Sequence, residues 1–154
     1  MSEERWLGLV IRSETDQPHE WPFIAWTIRN RLLSGRYGNS YEAVILSKKQ
    51  FSHFNQFESL LGDHTRLMEA ALNTYAGDMN GWRENDYDDA VACGADVMGA
   101  PRWRAPFGVD VMHYYSPVSM KPPGNRPPWL RSARRTFTPE GVDPSRFVFA
   151  AGVP

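Results

Sequence analysis

The N-terminal stretch "SEERWLGLVIRSETDQPHEWPFIAWTIRNRLLSG" constrains the fold more than any other part of the chain, because two helical periods follow one another with almost nothing between them. Ser2 before Glu3 and Glu4 reads as an N-cap with acidic residues in the first turn, where the helix dipole favours them. Trp6, Leu7, Val10 and Ile11 then recur at helical spacing. Glu14 falls four residues after Val10 and three after Ile11, so a carboxylate extends the apolar stripe. "TDQPH" is a short polar connection. The second helix is predicted from about Glu20 to Ser34, with Pro22 tolerated in its first turn, Ile24, Ile28 and Leu32 as its buried stripe, and Gly35 as its stop.

Beyond this pair the signals are shorter. "GRYGNS" is a loop, and Ser40 caps a short helix through "YEAVIL". "SKKQFSHFNQFESLLGD" has no clean period. His64 to Tyr75 and Asp86 to Met98 are predicted helices, separated by the turn-rich "AGDMNGWREN". "APRWRAPFG" is irregular, "VDVMHYY" alternates like a strand, and "SRFVFAAG" is a closing strand, with the proline-rich loop "SPVSMKPPGNRPPWL" between them. No repeat or interdomain linker interrupts residues 1–154. The expectation is one α+β domain, mostly helical, with a small β-sheet in the C-terminal half. A chain of 154 residues that is 42% hydrophobic and 13% aromatic is large and apolar enough to bury a core.

Several function classes are disfavoured. The 17 basic and 18 acidic residues give a net charge of −1, which argues against a protein holding nucleic acid mainly by electrostatics. Cys93 is the single cysteine, so neither an intrachain disulfide nor a cysteine-cluster metal site can form. His19, His53, His64 and His113 lack the HExxH spacing of zinc hydrolases; no metal and no cofactor is expected. No run approaches the roughly 20 apolar residues of a membrane span, and the N-terminus is acidic where a signal peptide needs positive charge. "RPPWLRSARR" reads as a solvated basic loop or one facing anionic polymers.

Glu14 is the candidate for chemistry. A carboxyl packed against apolar residues loses solvation of its charged form, its pKa rises, and it can hold a proton near neutral pH as a general acid must. The plainer alternative is a helix-capping or surface carboxylate paired with Arg12 or Arg29.

Glu14 in "IRSET" is followed by Asn30-Arg31 in "WTIRNRL", Gln50-Phe51-Ser52 in "KKQFSH", His113-Tyr114-Tyr115 in "VMHYYSP", Trp129 in "PPWL" and the terminal "RFVF". This order resembles the spore-cortex-lytic, or cell-wall hydrolase, family of peptidoglycan-cleaving domains. The resemblance spans nearly the whole chain and is strongest over residues 9–52; no single element of it is specific. The chain departs from the family pattern in three places. "ETDQPHE" stands where the family has a Glu-Ala-Arg-Gly-Glu type of start and is about two residues shorter, residues 55–81 look expanded, and "KPPGNRPP" is unusually rich in proline. These departures leave Glu14 in place and bear on the outline of the substrate groove.

The resemblance implies a lysozyme-like domain that cuts peptidoglycan glycan strands between N-acetylmuramic acid and N-acetylglucosamine, with Glu14 as acid/base. Gln50, Ser52, His113, Tyr114 and Tyr115 would contact the sugars, although strand alternation makes at least one of the two tyrosines structural. Asn30 would hold the loop bearing Gln50, and Phe51 and Trp129 would anchor the core. A standard glycosidase pairs carboxylates about 5–10 Å apart. Asp16, Glu20 and Asp110 are the candidates, but Asp16 and Glu20 read equally as first-turn acids of the second helix. A single carboxylate favours lytic transglycosylase chemistry over a muramidase. The alternatives are a non-catalytic glycan-binding module of a larger assembly and a wall peptidase using Cys93 with His113. With no export signal visible, an enzyme made in the cytoplasm would reach the wall by a phage lysis system, within a virion or through a dedicated secretion machine, in the company of a holin, an immunity protein or a delivery partner.

Overall fold

The computed structural model describes residues 2–47, 51, 63, 66, 69–70 and 85–154. Its first helix, α1 (Glu3–Glu14), has Ser2 at the N-cap position and buries seven consecutive residues, Trp6 to Arg12. The predicted stripe is thus only part of the buried surface. Helices α2 (Trp21–Ser34), α3 (Tyr41–Ile45) and α4 (Asp86–Gly99) all pack on α1, α4 most extensively. The approach to α4 is close enough that a Cβ on Gly8 would lie 2.6 Å from Val91 Cγ2. A glycine inside a helix normally weakens it; here it lets two backbones meet. A buried ion pair, Arg12 Nε to Asp86 Oδ2 at 3.0 Å, joins the same two helices.

A single 3₁₀ turn, Pro18–Glu20, separates α1 from α2. Pro22 sits in the first turn of α2, and Gly35 ends the helix at φ +70°, a conformation glycine adopts without strain. Ser40 Oγ accepts a hydrogen bond from the Ala43 amide and caps α3. Of the predicted helix over 64–75, only Arg66, Glu69 and Ala70 are described, and they are helical.

The C-terminal half supplies a three-stranded antiparallel sheet in the order β1 (Val111–Tyr115), β3 (Val148–Ala151), β2 (Arg135–Phe137), with β3 in the middle. The fold is therefore α+β and mostly helical. β2 was not anticipated, because three largely exposed residues give too short an alternation to read. Tyr114 and Phe137 both pair with Phe149 and share its face, where Tyr114 and Phe149 have ring centroids 5.6 Å apart. His113 and Tyr115 point to the other face and pack against Trp129, at 5.0 and 6.1 Å.

Two consecutive α2 residues fasten β1. Asn30 Nδ2 donates to the carbonyls of Gly108 and Val111 at 3.0 and 2.9 Å, and Arg31 Nε donates to the Met112 carbonyl at 2.7 Å. The register slips between Val111 and His113, so Arg31 receives a carbonyl displaced from the regular ladder. Asn30 thus holds the chain where it enters β1; its expected link to the loop bearing Gln50 falls outside the described residues. Among the described residues, no helix is long and apolar enough to cross a membrane.

Candidate active site

Helix α1 runs through the core and delivers Glu14 at its last position. The turn behind it is tightly held. The Thr15 amide donates to the Ile11 carbonyl, the Trp21 indole donates to the Thr15 carbonyl at 2.9 Å, and Thr15 Oγ1 donates to Glu20. These bonds fix the direction in which the carboxylate leaves the helix.

Glu14 is partly exposed, and Tyr114 Oη donates to its Oε2 at 2.9 Å. Burial raises the pKa of the carboxyl, opposed first by the Tyr114 hydrogen bond and then by the charge of Arg31. Tyr114 is held well above its ordinary pKa, chiefly by burial, and is a neutral donor. Arg31 is 5% exposed, with Tyr37 and Phe51 each 5.2 Å from its guanidinium carbon. The alternative of a capping or surface-paired Glu14 fits poorly: Arg12 engages Asp86, and Arg29 donates to the Val97 and Ala100 carbonyls at the end of α4.

A further contact lies beside Arg31, on the face of β1 opposite Tyr114. Tyr37 Oη lies 3.4 Å from His113 Nε2. Burial, together with Arg31 and Arg36, lowers the His113 pKa to about 4, so its ring is neutral at pH 7. Two buried nitrogens here, Arg31 Nη1 and His113 Nδ1, have no hydrogen-bond partner among the described residues. Leaving such atoms unpaired costs about 1–3 kcal/mol each, and functional sites are where that cost is met.

The predicted residues thus separate. Glu14, Tyr114 and Arg31 converge. His113 and Tyr115 are on the far face of β1 against Trp129, and Phe51 is buried beside Arg31. Gln50 and Ser52 lie outside the described residues. The sequence marks Arg31 only as half of an Asn-Arg pair; a cation three residues before the last residue of α2, beside an apolar stripe, is the signal it offers.

The candidate second carboxylates are each committed to an arginine. Glu20 is 1% exposed and accepts from Arg146 Nε and Nη2, both at 3.0 Å. Asp16 lies 3.6 Å from the same guanidinium, and Asp110 pairs with Arg134. Cys93 packs against the core, and its thiol is pushed up to about 11, first by burial and then by Asp96; a thiolate nucleophile is not formed there at neutral pH. Among the described residues no group of three or more His, Cys, Asp or Glu side chains could hold a metal ion. No family model matches this chain, and neither does any curated protein or solved structure.

Proposed function

We propose that the protein is a peptidoglycan-cleaving glycosidase of lysozyme-like type, acting on the bond between N-acetylmuramic acid and N-acetylglucosamine with Glu14 as its acid/base. The observation that carries this reading is the Glu14 carboxyl, partly withdrawn from water at a helix end and held by a neutral tyrosine hydroxyl. The order of sequence motifs supplies the substrate class.

Protonated Glu14 gives its proton to the glycosidic oxygen as the C1–O bond breaks. The resulting carboxylate then takes a proton from the muramic acid 6-hydroxyl, whose oxygen closes on C1 as a 1,6-anhydro ring, or from a water that adds at C1. Because Asp16, Glu20 and Asp110 are engaged elsewhere, the ring-closing route, which needs one carboxylate, is preferred.

Digestion of purified cell-wall sacculi with mass analysis of the muropeptides tests this directly. Anhydro-muropeptides are expected, and reducing ends would indicate a muramidase. Glu14→Gln is expected to lower the rate by about 10²-fold or more, the usual contribution of a positioned acid. Intact digestion by that variant would overturn the assignment. Sacculus binding without product would identify a glycan-binding module, and Cys93→Ser is expected to leave digestion unchanged.

A further inference from the structure

The segment 121–135, "KPPGNRPPWLRSARR", contains five cations and no carboxylate in a chain whose net charge is −1. It folds into one wall of a groove of about 900 Å³. Tyr115, Asn125, Arg126, Arg131, Arg134 and Arg135 line it, and Glu14 does not. Tyr115 reaches this groove from the face of β1 opposite Tyr114, so the groove is separate from the cluster around the acid.

The charges in the groove are mostly uncompensated. Arg134 pairs with Asp110. Arg135 lies over the Phe137 ring, 4.6 Å from its centroid, which orients the guanidinium without neutralising it. Arg126 and Arg131 have no ion-pair partner among the described residues. Proline at 127 and 128 and the 3₁₀ turn Pro128–Ser132 restrict the backbone that carries them. Four guanidinium forks around one recess call for more than one anion, and such forks match the paired oxygens of phosphate.

We propose that this groove binds a flexible polyanion whose charges are phosphates and which carries no bases. Arg126 and Arg131 take phosphate oxygens, and Tyr115 and Asn125 receive the intervening hydroxyls. Nucleic acid is disfavoured because single strands are gripped by rows of stacking rings, and among the described residues Tyr115 is the one aromatic side chain lining the groove. A bilayer is disfavoured because a recess meets a chain of phosphates better than a plane of them.

The test is titration of the intact protein with linear polyphosphate and with poly(glycerol phosphate), at several salt concentrations. Both are expected to bind, with log K falling against log salt at a slope of about −2 to −3, the value for three to four released counterions. Arg126→Gln with Arg131→Gln is expected to weaken binding about tenfold or more and to flatten the slope by about 1.4, with the melting temperature unchanged because both side chains are exposed. Glu14→Gln is expected to bind like the parent, which separates this site from the glycan-cleaving reading. Unchanged binding by the double variant would overturn the proposal. So would tighter binding of a single-stranded oligonucleotide of equal charge, or of vesicles containing phosphatidylglycerol.

Discussion

Glu14 sits between opposing influences: burial raises its pKa, while the Tyr114 hydroxyl and the Arg31 charge lower it. Removing Tyr114 Oη should therefore raise it further. In the proposed enzyme, Tyr114→Phe is expected to move the alkaline limb of the pH–rate profile to higher pH, at a stability cost of about 1 kcal/mol for the lost hydrogen bond. A limb that stays in place would show that Tyr114 does not tune the acid. The same balance has a stability consequence with a definite sign. In the unfolded chain Glu14 titrates near its ordinary value of 4.5, below its raised folded value. As pH rises between the two, the unfolded state loses its proton first and unfolding is favoured. The group's full stability is present below 4.5 and is lost as pH passes through the folded pKa. Glu14→Gln is therefore expected to melt above the parent at pH 7, by about 2–4 °C per kcal/mol recovered at this chain length. The gap should shrink toward pH 4 in calorimetric scans. Glu14 was legible because it falls on a helical period. The choice of Tyr114 over Tyr115 was not, since an alternating strand leaves its inward face open until a partner strand sets it.

Helix α1 is enclosed on every side from Trp6 to Arg12, and Gly8 is where it meets α4 most closely. On an exposed helix a glycine-to-alanine change stabilises by about 0.5–1 kcal/mol. At position 8 the new methyl would meet Val91 Cγ2 at 2.6 Å and the Val91 backbone at 2.7 Å. Backbone cannot rotate away, so overpacking wins. Gly8→Ala is expected to destabilise by about 1–3 kcal/mol in chemical denaturation, and a stabilised variant would contradict the packing of α1 on α4. Starts and stops of α1, α2 and α3 could be read locally, because Ser2, Pro22, Gly35 and Ser40 mark them by capping and backbone geometry within a few residues. The burial of every residue from Trp6 to Arg12 could not, because Asp86, which neutralises Arg12, lies 74 residues further on.

The whole molecule depends on links between its helical and sheet-bearing halves. Tyr114 reaches Glu14, Asn30 and Arg31 reach the start of β1, and Arg146 reaches back 126 residues to Glu20. Arg146→Ala would leave a buried carboxylate without its cation. Because the arginine side chain is 37% exposed, the expected cost is about 2–3 kcal/mol, below that of a fully buried pair. Adding Glu20→Gln is expected to recover part of it in a double-mutant cycle; strict additivity would show that the pair is not coupled. Reading Glu20 as a first-turn acid or a second catalytic carboxylate missed this role, since nothing near it in the chain marks position 146 as its partner. The sequence by itself determined where the N-terminal helices start and stop and that a carboxylate ends the first of them, because caps, breakers and periodicity act over a few residues. Only the tertiary structure decided which carboxylate is desolvated and which is neutralised. Those outcomes depend on what distant segments bring against each side chain, and solvation is a property of the assembled surroundings.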